Sequence, residues 1–270
     1  MIDRTQLLAA YDQQLRSEAE MTGTLSTELG IYEGGQGFVS YASLADRDGH
    51  LPDAAGVRAL VASVAAWVRE HPELDEVEVK TRAHDHAPGL HQALEQAGFA
   101  AQAAESVMVG SAQGLAGVQA PSGITLEQAQ TEAAMMAAAR MEDHVFGTQL
   151  AGRMVPELLR RQAAGEPVEL WAALAEGRVV SAGRIDPVAG TEFAGIWGGA
   201  TLPEYRGRGI YRALTSARVQ SVLRRGVRWI HSDSTQDSRP ILERAGLVKV
   251  TETTPYLWTR AGSDGESTER

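Results

Sequence analysis

The stretch Ile196-Trp-Gly-Gly-Ala-Thr-Leu-Pro-Glu-Tyr-Arg-Gly-Arg-Gly-Ile-Tyr-Arg-Ala-Leu214 decides the fold of this chain. It predicts a buried strand, a tight loop and then a helix that runs from about Gly207 to Arg225. The loop glycines, Gly207 and Gly209, allow the backbone to approach a ligand closely, because glycine has no Cβ. The first turn of a helix also leaves several amide groups without an intrahelical acceptor. The loop therefore predicts a binding site for a phosphate or pyrophosphate.

Two common glycine-loop motifs do not fit this loop. A P-loop ends in Gly-Lys followed by Ser or Thr, and no such ending is present. A dinucleotide-binding loop needs a third spaced glycine and an acidic residue about 20 positions further on. That glycine is missing here, and Asp233 stands at the wrong offset for the acidic residue. What the loop offers is the pattern Arg206-x-x-Gly209-x-Tyr211.

This pattern resembles the Arg/Gln-x-x-Gly-x-Gly/Ala loop of the GNAT acyltransferase superfamily, with Tyr211 in the place of the final small residue. The segment 234–247 is similar to the family's Asn-x-x-Ala-x-x-Leu-Tyr-Glu-x-x-Gly-Phe helix. The predicted order of elements over residues 122–260 also agrees with the family. It comprises a strand near 124–126, helices over 127–145 and 153–164, and strands near 168–175, 178–186 and 193–202.

The resemblance implies acetyl-CoA as a co-substrate and assigns residues to it. The backbone of Gly199, Ala200 and Thr201 is expected to pair with the pantetheine arm like an added strand. A β-bulge at Gly198-Gly199 would splay the neighbouring strands and aim an amide at the thioester carbonyl. The remaining expected cofactor residues are Arg206, Gly207, Arg208, Gly209, Ile210, Tyr211 and Arg212 around the pyrophosphate, and Thr235, which stands where many relatives carry Asn.

The resemblance leaves the proton-transfer residues open. Many relatives carry Glu at the position of Gly195 and Tyr at the position of Leu242, and both are missing here. The group Glu142-Asp-His144, at the end of the first helix of this domain, is a further candidate near the expected cleft, although it most resembles a solvated helix end. A reaction without a dedicated base is also open, because an ordered water or an already neutral amine would serve. The predicted catalytic residues are His231, Asp233 and Tyr256. For His231 and Asp233 the competing interpretation is a polar strand face whose side chains are satisfied by hydrogen bonds. For Tyr256 the competing interpretation is packing in the core.

Composition narrows the functional classes. A net charge of −10 over 270 residues argues against nucleic-acid binding, which needs clustered positive charge. Because Cys is absent, disulfides and thiolate chemistry are excluded. No apolar run approaches the ~18 residues of a membrane helix and no signal-peptide pattern is present, so a cytoplasmic protein without membrane contact is expected. The pair His84-x-His86 lacks a standard ligand spacing, so no metal is expected.

The first half of the chain contains a faint copy of the second. Leu94-Glu-Gln-Ala-Gly-Phe99 repeats as Leu242-Glu-Arg-Ala-Gly-Leu247, each after a β-rich run. An amphipathic helix over 53–70 takes the place of the phosphate-loop helix. The residues before it, 45–54, contain three carboxylates, which would repel a pyrophosphate. We therefore expect a degenerate copy that does not bind CoA; chance similarity of two amphipathic helices is the alternative.

The sequence predicts an α/β (α+β) protein with two tandem GNAT-like domains, each built on a mixed, twisted sheet flanked by helices. A degenerate, truncated domain is expected over residues 1–110 and a linker over 111–122. The acetyl-CoA-binding GNAT domain is expected over 123–260 and a disordered tail over 261–270. Whether the halves pack together or pair across a homodimer is left open by the sequence.

The resemblance implies an N-acetyltransferase. Such an enzyme transfers the acetyl group of acetyl-CoA to a primary amine of a small molecule or peptide, by direct attack in a ternary complex. The expected partners are therefore acetyl-CoA and an amine acceptor. The alternative is a non-catalytic acyl-CoA-binding or regulatory module. The missing Glu and Tyr favour the module, whereas the intact cofactor loop favours the enzyme.

Overall fold

The computed structural model describes residues 3–16, 36–39, 41, 44 and 50–260. The tail predicted over 261–270 lies outside the described residues. In chain order the elements are α1 (Arg4–Gln14), β1 (Gln36–Val39), α2 (Ala54–Glu70), β2 (Glu76–Lys80), α3 (Leu90–Gln96), β3 (Ala100–Ala101), β4 (Glu105–Ser111), α4 (Ala112–Leu115), β5 (Ile124–Gln128), α5 (Glu132–Phe146), α6 (Ala151–Ala163), β6 (Glu169–Ala175), β7 (Arg178–Pro187), β8 (Phe193–Thr201), α7 (Ile210–Leu223), β9 (Trp229–Ser234), α8 (Arg239–Ala245), β10 (Val248–Thr253) and β11 (Pro255–Thr259).

Contacts divide the chain into two compact units. Of the described residues, unit 1 contains those within 3–108, 233–240 and 249–260, and unit 2 contains Val109–Ser232 and Ile241–Val248. The division falls inside β4, β9, α8 and β10, so these elements have residues in both units. The units are spatial, whereas the domains predicted over 1–110 and 123–260 are sequence segments, and those segments stay predictions.

Unit 1 contains a sheet that is completed by the end of the chain. Over the described residues its four strands follow the order β1-β2-β11-β3. Strand β1 runs parallel to β2, and β11 is antiparallel to both β2 and β3. The apolar face of α2 packs into the core beside this sheet, because valines recur at helical spacing: Val57, Val61, Val64 and Val68.

The carboxylate before α2 caps that helix. The side chain of Asp53 accepts hydrogen bonds from the amides of Ala55 and Gly56, at 3.0 and 2.8 Å. An Asp at the N-cap satisfies amides that have no intrahelical acceptor. The N-terminus of α2 is thus occupied by the side chain of Asp53, whereas the residue before α7 is Gly209, which has no side chain.

Unit 2 contains an antiparallel meander followed by a parallel strand. Strands β5, β6, β7 and β8 pair antiparallel in sequence order, and β9 then joins β8 in parallel. Over the described residues the whole sheet has the order β10-β4-β9-β8-β7-β6-β5. Helices α5 and α6 bury their apolar faces in a core with β6 and β7. The mixed α/β fold and the predicted order of these elements are confirmed.

The predicted linker is partly helical and packed. Helix α4 lies inside 111–122, and both Ala112 and Leu115 are buried. The amide of Val118 donates a hydrogen bond to Oγ of Ser216, at 2.9 Å. The start of this segment is therefore held against the rest of unit 2.

Within the described part of the chain, no helix combines the length and the apolar character that crossing a bilayer requires.

Candidate functional site

A β-bulge interrupts the pairing of β7 and β8. Gly183 of β7 faces two residues of β8, Gly198 and Gly199, because the register shifts at this point. The backbone of Gly198 has a φ of +63°, a conformation that favours glycine. The bulge expected at these two glycines is confirmed, and it lies beyond Gly195, the last residue of β8 that pairs with β9.

Strands β8 and β9 are paired only at their beginnings. Phe193–Gly195 pair with Trp229–His231, and past these residues the described strands show no further pairing with each other. The edge of β8 beside the bulge is therefore open toward β9. An unpaired strand edge inside a sheet can accept an extended ligand as an added strand.

The loop before α7 contains two glycines in the left-handed conformation. Gly207 has a φ of +75° and Gly209 a φ of +78°. Because such backbone cannot continue a helix, α7 begins at Ile210 rather than at Gly207 as the sequence pattern predicted. Apart from the glycine itself and its two neighbours in the chain, no described heavy atom lies within 4 Å of the point where a Cβ would stand on either glycine. The space above the loop is therefore open to a ligand.

The first turn of α7 presents amide groups to that space. The amide of Ala213 donates to the Gly209 carbonyl at 3.0 Å, and this is the first bond of the helical ladder. The amides of Ile210, Tyr211 and Arg212 precede it and have no acceptor among the described residues. Aligned amides at a helix N-terminus carry partial positive charge, so this turn is suited to bind a phosphate group.

The two loop arginines hold the loop in shape. Nε of Arg206 donates to the carbonyl of Thr201 at 3.0 Å. The guanidinium of Arg208 donates to the carbonyl of Glu204 at 2.8 Å and lies 5.0 Å from the ring centre of Tyr205. Both side chains thus bind the chain just ahead of the loop, which leaves the backbone amides as the main donors in the first turn of α7.

Tyr211 fits its position because residue 199 has no side chain. A Cβ on Gly199 would lie 2.5 Å from Cε2 of Tyr211. The buried guanidinium of Arg218 lies 5.9 Å from the centre of the same ring. Burial lowers the pKa of Arg218, and the Tyr211 hydroxyl acts against this decrease. The absence of a side chain at Gly199 of β8 therefore makes room for the large side chain of Tyr211 in the first turn of α7.

Glu142 lies beside the bulge and was misassigned from the sequence. The predicted solvated helix end is wrong for this residue, because only 6 % of it is exposed. A Cβ on Gly198 would lie 3.2 and 3.3 Å from its two carboxylate oxygens. Burial raises the pKa of Glu142 to about 8, although Arg184 and Arg218 act in the opposite direction. Its helical spacing from the buried Met135 is the sequence signal that could have identified it.

The neighbouring Asp143 organises the backbone that follows α5. Its carboxylate accepts hydrogen bonds from the Thr148 hydroxyl at 2.7 Å and from the amides of Leu150 and Ala151 at 2.8 and 2.9 Å. Burial raises its pKa, but these hydrogen bonds prevail and hold the pKa of Asp143 below its usual value. Asp143 is therefore a cap for α6, with its oxygens already occupied.

The loop, the bulge and Glu142 all lie in a segment that matches a known family. Residues 136–247 match the model of the acetyltransferase (GNAT) family. This segment is a GNAT acetyltransferase domain. No protein with a curated description matches the chain.

Solved structures with the GNAT fold resemble nearly the whole chain. A GCN5-related N-acetyltransferase from Kribbella flavida is 16 % identical, with a TM-score of 0.62 over 97 % of both chains. One from Sphaerobacter thermophilus is 19 % identical, with a TM-score of 0.63 over 88 % of this chain and 78 % of that one. A tandem GNAT protein from the clavulanic acid biosynthesis pathway is 14 % identical, with a TM-score of 0.60 over 96 % of this chain and 97 % of that one. These likenesses confirm the predicted GNAT-like fold and include a tandem arrangement.

Within the segment 136–247, Trp197 fills the space beside Gly195, the position at which the sequence resemblance leads one to expect Glu. A Cβ on Gly195 would lie 2.5 Å from Nε1 of the indole. The ring of His231 meets the indole edge-on, with 5.3 Å between ring centres, and only 1 % of His231 is exposed. His231 thus packs among aromatic rings, and its predicted catalytic role stays a prediction.

The other two predicted catalytic residues belong to unit 1. Asp233 forms a buried ion pair with Lys80 of β2. The hydroxyl of Tyr256 is hydrogen-bonded to Nδ1 of His91 at 2.8 Å, and its ring belongs to the core around α2. Packing and pairing account for the burial of both residues. Their catalytic roles are not tested by this arrangement and stay predictions.

The remaining predicted cofactor residues have structural partners of their own. Oγ of Ser181 donates to the Ala200 carbonyl at 2.6 Å and is hydrogen-bonded to the Thr201 hydroxyl at 2.8 Å. The hydroxyl of Thr235 accepts a hydrogen bond from the amide of Ser238 at 3.3 Å, just before α8. The hydrogen bonds of Ser181 to Ala200 and Thr201 fix the end of β8. The expected contact of these two residues with the pantetheine arm requires such a fixed strand, and this contact stays a prediction.

Proposed function

We propose that the protein is an acetyl-CoA-dependent N-acetyltransferase that acetylates a primary amine of a small molecule or peptide by direct attack in a ternary complex. Membership of residues 136–247 in the GNAT acetyltransferase family supports acyl transfer from CoA in general. The observation that carries the proposal is the open first turn of α7, with the amides of Ile210, Tyr211 and Arg212 without acceptors among the described residues. It is the pyrophosphate site that such chemistry needs.

The bulge supplies the second requirement of acyl transfer. An acyl thioester that is attacked by an amine develops negative charge on its oxygen, and a fixed amide nearby stabilises that charge. We assign this role to the backbone around Gly198 and Gly199, where β8 bends away from its regular pairing. The pantetheine arm is proposed to lie along the open edge of β8, next to Ala200 and Thr201.

A specific observation favours a non-catalytic acyl-CoA-binding module as the second candidate. The two positions at which many relatives carry acid–base residues are Gly195, covered by Trp197, and the buried Leu242. A protein that keeps only the cofactor loop would bind acetyl-CoA without consuming it.

One experiment separates the two candidates. The protein is mixed with acetyl-CoA and one of four amines, namely spermidine, glucosamine, an aminoglycoside or a peptide that contains lysine. The release of the thiol of CoA is then followed over time. Binding of acetyl-CoA is measured in parallel by calorimetry. Amine-dependent thiol release supports the enzyme. Binding without release across the panel supports the module, and absence of binding contradicts both.

A further inference from the structure

We propose that Glu142 is the catalytic residue that accepts the proton of the acceptor amine. This inference rests on the proposed function and adds a residue that the resemblance does not assign. It stands on the position of the carboxyl group beside the bulge of β8, within unit 2.

The carboxyl group of Glu142 points at the backbone of the bulge. Its oxygens lie 3.2 and 3.3 Å from the place of a Cβ on Gly198, so any larger residue there would meet them. The glycine therefore leaves room for the carboxyl beside the backbone of the bulge, on the face of β8 against which α5 packs. The bulge is the place at which an acyl group and an incoming amine would meet in the proposed reaction.

The buried carboxyl also has an unused acceptor. Oε1 of Glu142 is buried and has no hydrogen-bond partner among the residues that the structure describes. An unpaired buried oxygen is costly, and it is usually explained by a missing ligand or by a functional role. An ammonium group carries the donors that this oxygen lacks.

A structural ion pair does not account for Glu142. Nη1 of Arg218 donates to the Arg184 carbonyl and Nη2 to the Thr215 hydroxyl, both at 2.9 Å, whereas its Nε has no hydrogen-bond partner among the described residues. Within the described part of the chain Glu142 forms no salt bridge with a Lys, Arg or His nitrogen. The charged groups that act on it are Arg184 of β7, Arg218 of α7 and Asp143 of α5. The carboxyl is thus near positive charge but is not neutralised by contact.

The chemistry that follows is a balanced proton and acyl transfer. The ammonium of the acceptor gives one proton to the Glu142 carboxylate, and the freed nitrogen lone pair attacks the thioester carbon. The C–N bond forms and the C–S bond breaks. The thiolate of CoA leaves and takes the second proton of the nitrogen, and Glu142 returns its proton to the solvent. A carboxyl with a pKa near 8 is matched to an amine at neutral pH better than an ordinary carboxyl.

The test compares two Gln variants of the same helix. Glu142→Gln keeps the shape of the side chain and removes the base, whereas Glu132→Gln changes an exposed residue in the first turn of α5. With the panel amine that the wild type uses fastest, Glu142→Gln is expected to lower kcat by about 100-fold to 10,000-fold. KM of this variant for acetyl-CoA should stay within about twofold of the wild-type value. In the wild type kcat is expected to rise with pH around pH 8, and in Glu142→Gln this rise should disappear. Glu132→Gln should match the wild type.

Several outcomes would overturn the inference. If Glu142→Gln keeps kcat and its pH profile while the wild type turns over, this inference fails and the proposed function stands. If the wild type releases no thiol with any amine, both fail together. Should the Gln variant not fold, Glu142→Asp decides. Glu142→Asp should lower kcat at least about tenfold and keep the rise of kcat with pH, because it retains a carboxyl group. An unchanged kcat in Glu142→Asp would contradict the role of Glu142 as the proton acceptor.

Discussion

The ring of Tyr211 occupies the space in which a side chain at Gly199 would stand: a Cβ there would lie 2.5 Å from Cε2 and 2.8 Å from the hydroxyl. The two residues therefore depend on each other, one in the first turn of α7 and one in the bulge. This relationship explains how the chain accommodates a tyrosine at the position where the motif that it resembles ends in a small residue.

We expect the substitution Gly199→Ala to destabilise the protein by about 1–3 kcal/mol, because it overpacks a contact that has no free space. Adding Tyr211→Ala should remove most of that cost. The free energy of unfolding of both single variants and the double variant, measured with denaturant, gives the coupling. Simple additivity of the two effects would mean that the ring moves away freely.

The pKa of Glu142 predicts how stability depends on pH. Its value in the folded protein is about 8, above the ordinary value of 4.5. Between these values the folded state holds a proton that the unfolded state has released, so the free energy of unfolding must fall as pH rises. The stabilising contribution of protonated Glu142 is fully present below pH ~4.5 and decreases as pH rises from ~4.5 to ~8. Above pH ~8 the contribution is absent, and stability no longer changes through this group.

The pH effect is measured as the difference between the wild type and Glu142→Gln. Denaturant titrations at several values between pH 5 and pH 9 should show that the wild type loses stability relative to this variant, with the loss ending near pH 8. Glu132→Gln serves as the control and should follow the wild type. A constant difference across the range would show that the carboxyl titrates normally.

We expect the ion pair between Lys80 and Asp233 to be structural. Both side chains are largely buried, so Lys80→Met would leave a buried carboxylate without its partner and cost about 3–5 kcal/mol. The double variant Lys80→Met with Asp233→Leu should recover much of this loss, as measured by thermal or denaturant unfolding. A stable Lys80→Met variant would instead show that Asp233 keeps enough solvent to remain charged.

Much of the glycine loop before α7 and of the bulge could be predicted from the sequence, because each depends on local backbone conformation. Gly207, Gly209 and Gly198 adopt positive φ, and glycine is the residue that does so without strain. The start of α7 was misplaced for the same reason: a left-handed glycine can end a loop but cannot begin a helix.

The environment of Glu142 could not be read from local sequence, because its burial results from packing of α5 against β7 and β8. The surroundings of Tyr256 depend on pairing at long range, since Pro255–Thr259 align with Glu76–Lys80. Polar residues near a helix end or on an alternating strand look alike whether they are solvated, paired or catalytic. Only the three-dimensional contacts distinguish these cases.

The first turn of α7 is proposed to bind the pyrophosphate of acetyl-CoA. Calorimetric titration of acetyl-CoA into the wild type, Gly209→Asp and Gly226→Asp tests this assignment. Gly226 is a matched control, because it has a φ of +84° and open space but lies just beyond the other end of α7. We predict at least about 100-fold weaker binding for Gly209→Asp, from lost charge-assisted hydrogen bonds and repulsion, and unchanged binding for Gly226→Asp. Equal affinity of Gly209→Asp and the wild type, or no binding by the wild type, would contradict the account.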